Sequence, residues 1–182
     1  LDHGYLTDGR SILVMEFAVG QSLRQLIPPG GMPLPDIAEI IRQLGLALDA
    51  AHREGILHRD VKPENIMVNH SPSGEMVVKL IDFGIARIRD GISSDTQTAE
   101  IAGSIRYMAP EQMDGRETSH SDQFALALVA FEAITGTIPC QEKTPLLLYR
   151  AYMSGQIPDI ARFRPGLSQE VAHLFQKALS FA

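Results

Sequence analysis

The sequence predicts an α+β fold that is mostly α-helical and contains small β-hairpins. Two stretches carry the helical prediction. Apolar residues recur at helical spacing between positions 37 and 51, and residues 121–135 are strongly apolar and are followed by Gly136. Residues 65–69 and 76–81 are short apolar runs joined by a Pro- and Gly-containing turn, which predicts a pair of strands.

The first predicted element is a hairpin formed by residues 1–5 and 11–17, with a turn at residues 7–9. Its second strand is almost continuously apolar, which is typical of a strand buried on both faces. Gly20 ends this run, and residues 22–27 are long enough for one or two helical turns.

The later part of the chain alternates loops and helices. Residues 89–102 are polar and lack periodicity, which predicts a long loop. Helices are predicted over residues 145–154, with Thr144 as N-cap, and from Gln169 onward, with Ser168 as N-cap. We expect the last helix to run into the C-terminus because no stop signal follows it.

The composition indicates one globular domain. The 182 residues are 45% hydrophobic and 21% charged, and the net charge of −6 argues against a nucleic-acid binder. Cys140 is the only cysteine, so an internal disulfide is excluded and a reducing compartment such as the cytoplasm is expected. No apolar run approaches the roughly 20 residues that span a bilayer, and membrane attachment of a longer protein stays undetermined. The histidines show no metal-ligand spacing.

Two short segments contain the residues suited to chemistry. They read His58-Arg59-Asp60-Val61-Lys62-Pro63-Glu64-Asn65 and Asp82-Phe83-Gly84. Phosphoryl transfer needs carboxylate or amide oxygens that hold magnesium and a further carboxylate that orients the attacking hydroxyl. Asp60, Asn65 and Asp82 are of these types, and their spacing matches H-R-D-x-x-x-x-N followed by D-F-G.

In these segments the chain resembles the protein kinase superfamily. Lys62, two residues after Asp60, is the serine/threonine-type pattern. Residues 81–87 and 121–124 resemble bacterial, eukaryotic-like kinases, and residues 103–111 resemble the substrate-docking loop and the A-P-E end of an activation segment. The resemblance implies a protein-kinase-like fold, mainly the α-helical C-lobe with a residual N-lobe β-hairpin and hinge.

The resemblance also implies a division of the chain. Residues 1–182 form a partial protein kinase domain, with residual N-lobe strands at 1–15, a hinge at 16–22 and the C-lobe at 23–182. The activation segment covers residues 82–111.

Catalytic and cofactor roles follow from the same resemblance. Asp60 is expected to orient the substrate hydroxyl, and Lys62 to neutralise charge on the transferred phosphoryl group. Asn65 and Asp82 are expected to bind Mg²⁺ or Mn²⁺ together with ATP. Asp122 is expected to hydrogen-bond the backbone of the catalytic loop, although a surface helix cap would also explain it.

The nucleotide base is expected at the hinge. Backbone groups near Glu16 and Ala18 would bind adenine, and Met67 would lie beneath the purine; for Met67, core packing is the alternative. His58 and Phe83 are expected to stack on each other and to support Asp82.

Regulation is expected in the activation segment. Arg59 and Arg87 would form a cationic pocket for a phosphate on Thr96 or Thr98, placed there by autophosphorylation and possible self-association. A solvated loop is the alternative. Ser104, in the expected substrate loop, stands where the family usually has Thr.

Some parts of a kinase are not found in the sequence. No G-x-G-x-x-G occurs, and Lys62 is the first lysine, so the strand lysine that contacts phosphates is missing. Because the chain starts at Leu1, we expect an excerpt of a longer protein that transfers negligible phosphate by itself. We also expect Glu111 to lack the arginine that pairs with it in the family.

Three functions remain open at this point. The first is a serine/threonine protein kinase, cytoplasmic in its kinase domain, that phosphorylates Ser/Thr hydroxyls of protein substrates. The second is a degenerate kinase that serves as a binding or scaffold module. The third is a small-molecule phosphotransferase, which Lys62 and the Ala109-Pro110-Glu111 segment argue against.

Overall fold

The computed structural model describes residues 2–8, 11–83, 103, 105–142, 144–155 and 157–180. Its strands are β1 Asp2–Tyr5, β2 Ser11–Val14, β3 Gln21–Ser22, β4 Ile66–His70 and β5 Met76–Leu80. Its helices are α1 Leu23–Leu26, α2 Leu34–Arg53, α3 Pro110–Met113, α4 Ser119–Thr135, α5 Pro145–Met153 and α6 Gln169–Ala178. Short 3₁₀ turns lie at Pro63–Asn65 and Ile160–Arg162.

The predicted N-terminal hairpin forms, but its second strand is not buried on both faces. β1 and β2 pair antiparallel, with Tyr5 opposite Ser11. β2 ends at Val14 rather than at residue 17, and Val14 and Phe17 are 58% and 83% exposed. The prediction of a doubly buried strand was wrong: Ile12 and Val14 are exposed, and among the described elements only β1 makes extensive contact with β2.

Strands β4 and β5 lie between the two long helices in sequence, and together with β3, which precedes both helices, they form a three-stranded antiparallel sheet in the order β3-β4-β5. The sequence predicted β4 and β5 within one residue of their ends. It missed β3, because Gln21–Ser22 is too short to show a periodicity. In β4 the side chains of Ile66 and Val68 are buried, as the period of two requires when one face meets the core.

The two predicted long helices form the centre of the core and pack against each other. In α2, the buried Ile37, Ile40, Leu44 and Leu48 recur at three and four residues and line one face. α4 is buried on nearly all sides, as its almost uniformly apolar sequence predicts.

Helix α4 has clear signals at both ends. The Thr118 hydroxyl accepts a hydrogen bond from the backbone N–H of His120, so the helix begins two residues earlier than predicted. Gly136 ends the helix with φ of 77°, a left-handed conformation in which a side chain is strained.

The two C-terminal helices pack on this core. The Thr144 and Ser168 hydroxyls cap α5 and α6 as predicted, accepting from the backbone N–H groups of Leu147 and Val171. α6 ends at Ala178 with Leu179 as C-cap, so the expectation that it runs into the C-terminus was wrong. No helix within the described ranges is both long and apolar enough to cross a membrane. The predicted loop at 89–102 lies outside those ranges.

Candidate functional site

The carboxylate of Asp60 lies at the centre of the candidate site. Its Oδ2 accepts hydrogen bonds from Lys62 Nζ at 2.7 Å and from Asn65 Nδ2 at 3.1 Å. Asn65 Nδ2 also donates to the backbone carbonyl of Asp60 at 2.9 Å. The structure therefore brings three sequence-predicted residues together, and the two donors orient the Asp60 side chain.

The backbone next to Asp60 is strained, and side chains of α3 and α4 form hydrogen bonds with it. Arg59 has φ of 67°, which is uncommon for a residue with a side chain. The buried Asp122 carboxylate accepts the backbone N–H groups of His58 at 2.9 Å and Arg59 at 2.8 Å. Gln112 donates to the Arg59 carbonyl at 2.6 Å. The predicted contact of Asp122 with the loop backbone is confirmed.

His58 forms a second support of the loop. Its ring lies 4.5 Å from that of Phe83, centroid to centroid, which confirms the predicted stacking. Its Nδ1 accepts the backbone N–H of Asp60 at 3.3 Å, so Nε2 carries the proton and donates to the Ile81 carbonyl at 3.0 Å. Burial lowers the pKa of His58, and nearby carboxylates only partly oppose this.

These contacts also determine where Asp82 lies. The Ile81 N–H donates to the Asn65 carbonyl at 2.9 Å, so the residue before Asp82 is tied to both Asn65 and His58. Asp82 has φ of 57°, and it is the only residue with a side chain, other than Arg59, for which a positive φ is found in the described ranges. Asp82 is exposed.

The expected hinge residues lie near the three-stranded sheet. Glu16 is exposed and forms an ion pair with Lys79 at 2.6 Å, which lowers the pKa of Glu16. Met67 lies directly opposite Lys79 in the β4–β5 register, so both side chains point to one face of the sheet. Ala18 is half-buried. The expected base-binding role of these residues stays a prediction.

Glu111 binds a hydroxyl of the next helix. It is half-buried at the start of α3, and its Oε1 accepts a hydrogen bond from Ser121 Oγ on α4 at 2.6 Å. The expected lack of the family's arginine partner stays a prediction. Cys140 is buried, and burial raises the pKa of its thiol to about 11.

Five of the predicted residues lie outside the described ranges: Gly84, Arg87, Thr96, Thr98 and Ser104. Of the predicted regulatory group, Arg59 is described, and its Nε lies 3.2 Å from Glu117 Oε1 in a partly buried ion pair.

Sequence reasoning missed a polar cluster beside the catalytic loop. Arg24 on α1 contacts Glu64, Tyr107 and Glu132, which are 40, 83 and 108 residues away. No local pattern connects positions so far apart. His52 was also missed: its Nε2 lies 2.8 Å from Asp122 Oδ2. In the part of the chain that the structure covers, no group of three or more His, Cys, Asp or Glu residues is arranged for a metal ion.

Comparison with known proteins agrees with this geometry. The family model described as "Protein kinase domain" matches residues 3–181. Serine/threonine-protein kinase PknF of Mycobacterium tuberculosis is 38% identical over 177 residues, covering 95% of this chain and 37% of PknF. Kinase pkn3 of Myxococcus xanthus is 34% identical over 188 residues, covering 99% of this chain and 34% of pkn3. The chain thus spans little more than a third of these relatives.

Solved structures give the same result for the fold. A mutant form of the PknI kinase domain of Mycobacterium tuberculosis superposes with a TM-score of 0.71 at 28% identity, covering all of this chain and 61% of the PknI chain. Rad53 in complex with AMP-PNP superposes with a TM-score of 0.71 at 27% identity, covering 91% of this chain and 41% of that chain. The expected kinase-like fold is confirmed.

Proposed function

This chain belongs to the protein kinase domain family, and we propose that it supplies the catalytic loop of a serine/threonine protein kinase that transfers the γ-phosphate of ATP to Ser/Thr hydroxyls of proteins. The observation that carries the proposal is the Asp60 carboxylate held by Lys62 and Asn65. The named bacterial relatives, all serine/threonine-protein kinases, support the reaction class.

Asp60 acts on the substrate hydroxyl. In the proposed step the hydroxyl oxygen forms the new bond to the γ-phosphorus, ADP leaves, and Asp60 accepts the proton. The Asp60 side chain is only 17% exposed, so solvent screens its charge weakly. Lys62 Nζ lies 2.7 Å from that carboxylate and is proposed to neutralise charge on the transferred group.

Asn65 and Asp82 are proposed to hold Mg²⁺ or Mn²⁺. Both side chains offer oxygen, the donor that these hard cations prefer. The Asn65 amide nitrogen is engaged by Asp60, which leaves the amide oxygen as the acceptor for a cation. The donor set therefore fits such an ion. When bound, the ion neutralises charge on the phosphates of ATP.

ATP is proposed to bind between this loop and the hinge. The chain is proposed to divide into residual N-lobe strands at 1–15, a hinge at 16–22 and the C-lobe at 23–182, with the activation segment at 82–111. Backbone groups near Glu16 and Ala18 would bind adenine, with Met67 beneath the ring. The Rad53 relative is described in complex with AMP-PNP, an ATP analogue, which supports nucleotide binding in this fold.

Regulation by phosphate is proposed for the activation segment. A phosphate on Thr96 or Thr98 would bind Arg59 and Arg87, with Ser104 in the protein-substrate loop. The Arg59–Glu117 ion pair supports this assignment, because a nearby carboxylate is a partner that a phosphate could replace. Autophosphorylation would require transient self-association of two copies. Because the reaction consumes ATP, we propose the cytoplasm as its setting.

The test is phosphate transfer by the full-length protein. Purified protein with Mg-ATP and a mixture of basic proteins is expected to yield phosphoserine or phosphothreonine. Asp60→Asn should lower the rate by roughly 10³-fold, the size of a lost general base. Asp49→Asn is the matched control, since Asp49 pairs with Arg53 on the exposed face of α2.

Three results would contradict the proposal. If wild type is active and Asp60→Asn transfers phosphate at the same rate, Asp60 is not the base. Nucleotide binding without any transfer to protein would favour a degenerate kinase that acts as a binding module. Transfer to small molecules but not to proteins would favour the third candidate, a small-molecule phosphotransferase.

A further inference from the structure

A four-residue polar cluster joins four separate parts of the fold. The three guanidinium nitrogens of Arg24 each contact a different partner. Nε donates to Glu64 Oε1 at 2.7 Å, Nη1 donates to Glu132 Oε1 at 2.6 Å, and Nη2 donates to the phenol oxygen of Tyr107. The Tyr107 hydroxyl donates in turn to Glu132 Oε2, which closes the cluster.

Burial makes this cluster sensitive to the loss of any member. Tyr107 is 4% exposed, and the Glu132 side chain is 9% exposed within the apolar helix α4. A buried carboxylate is costly unless it is paired and hydrogen-bonded. Burial alone would lower the pKa of Arg24, but its hydrogen bonds to Glu132 and Glu64 outweigh this and raise it. Burial also raises the pKa of Tyr107, so the phenol stays protonated and donates to Glu132.

The elements that the cluster connects surround the candidate site. Arg24 is in α1, directly after the proposed hinge. Glu64 lies in the 3₁₀ turn between Lys62 and Asn65, within the loop that carries Asp60. Tyr107 lies two residues before Ala109, the N-cap of α3, in the segment that resembles a substrate-docking loop. A single guanidinium thus contacts the catalytic loop and the base of the proposed substrate-binding segment.

We propose that Arg24 is a positioning residue for the protein substrate, which sets the segment at Tyr107 relative to the loop that carries Asp60. The proposal rests on the proposed kinase function. Arg24 contacts neither Asp60 nor Asn65 in the hydrogen bonds of the cluster, so its effect passes through Glu64 on one side and Tyr107 on the other. ATP binding, at the hinge and the metal-binding residues, should depend on it much less.

The geometry requires arginine rather than any cation. A planar guanidinium presents donors in three directions at fixed angles, and all three are used here. A lysine ammonium is a single point charge that could balance Glu132 without reaching Glu64 and Tyr107 at once. Arg24→Lys should therefore keep much of the stability that Arg24→Ala loses, yet recover only part of the substrate positioning.

The experiment compares Arg24→Ala, Arg24→Lys and Tyr107→Phe with wild type in the full-length protein. Arg42→Ala is the matched control, because Arg42 pairs only with the neighbouring Glu39 on the exposed face of α2 in the hydrogen bonds described. The first readout is kinetic. For Arg24→Ala we expect KM for the protein substrate to rise by about tenfold while KM for ATP stays within about twofold. The Arg24→Ala/Tyr107→Phe double variant should raise KM for the protein substrate by less than the two single variants combined would predict.

The second readout does not need activity. In hydrogen–deuterium exchange, the amides of Met108, Gln112 and Met113 donate to carbonyls of the same segment. These amides should exchange faster in Arg24→Ala, with the core of α2 and α4 unchanged. Arg42→Ala should leave both regions as in wild type.

The outcomes separate the two proposals. If wild type transfers no phosphate, the proposed function fails, and the exchange data still decide whether Arg24 holds the Tyr107 segment. If wild type is active but Arg24→Ala changes neither substrate KM nor exchange at this segment, the positioning role is overturned. Faster exchange throughout the protein, with equal changes in both KM values, would show general stabilisation only and would also overturn it.

Discussion

The carboxylate of Asp122 accepts a hydrogen bond from the backbone N–H of Arg59 at 2.8 Å, across 63 positions of sequence. Arg59 has φ of 67°, a conformation that costs free energy for a residue with a side chain. The buried Asp122 also binds the N–H of His58 and the ring of His52. One carboxylate at the start of α4 therefore stabilises the strained peptide just before Asp60.

Asp122→Ala should be strongly destabilising. It leaves two buried N–H groups and the His52 ring without their acceptor, so we expect the free energy of unfolding to fall by about 3–5 kcal/mol. Denaturant titration followed by circular dichroism measures this loss. Asp49→Ala removes a carboxylate from an exposed ion pair and should change the value by no more than about 0.5 kcal/mol. A loss below about 1 kcal/mol in Asp122→Ala would contradict the support role.

Stability should fall at mildly acid pH through His58. Burial lowers its pKa, so the unfolded chain takes up a proton near pH 6.5 (about its ordinary value) before the folded chain does. Stability is then fully present above that pH and declines below it, by up to about 1.4 kcal/mol per pH unit for one proton.

His58→Phe keeps a ring against Phe83 and removes the titrating group. The unfolding free energy, measured from pH 7.5 down to about pH 5.5, should fall less steeply in the variant than in wild type. The other histidines and the carboxylates are common to both proteins. Identical slopes would show that His58 does not cause the decline.

Gly20 should tolerate no side chain. Its φ is 135°, and a β-carbon there would lie 2.4 Å from the Val68 carbonyl oxygen in β4. Gly20→Ala is therefore expected to cost at least about 2 kcal/mol of unfolding free energy, from strain and from displacement of β4.

Gly74→Ala is the control for Gly20→Ala. Gly74 also has a positive φ, 87°, but a β-carbon there would meet nothing within 4 Å. Gly74→Ala should therefore lower the unfolding free energy only by the backbone strain, about 1 kcal/mol. Equal losses in both variants by thermal or chemical denaturation would mean that the close approach at Val68 contributes nothing.

Ser121→Ala should weaken the contact between α3 and α4. The Ser121 hydroxyl donates to Glu111 and accepts from the backbone N–H of Thr118 at 3.0 Å. Loss of a buried hydrogen bond to a charged group predicts a decrease of about 2 kcal/mol in unfolding free energy. Ser180→Ala, at an exposed serine, should be within about 0.5 kcal/mol of wild type. If Ser121→Ala and Ser180→Ala had the same unfolding free energy, the hydrogen bond from Ser121 to Glu111 would contribute nothing to stability.

Much of the fold could be predicted from local sequence. Helices α2 and α5, the start of α6 and strands β4 and β5 were predicted within about three residues, because apolar periodicity and capping residues are local signals. The motif spacing also singled out Asp60 and Asn65, which lie within one loop, together with Asp82. Predictions failed for β2 and for the end of α6, whose environments depend on what packs against them.

The tertiary structure alone decided the contacts between distant segments. Nothing in the sequence pairs Arg24 with Glu132, 108 residues away, or Glu111 with Ser121 on the next helix. The sequence alone determined the family, the helices and the residues available for phosphoryl transfer, because those depend on residue type and short spacing. The partners of each buried charge depend on how the helices pack, because burial selects whichever donors packing brings within hydrogen-bond distance.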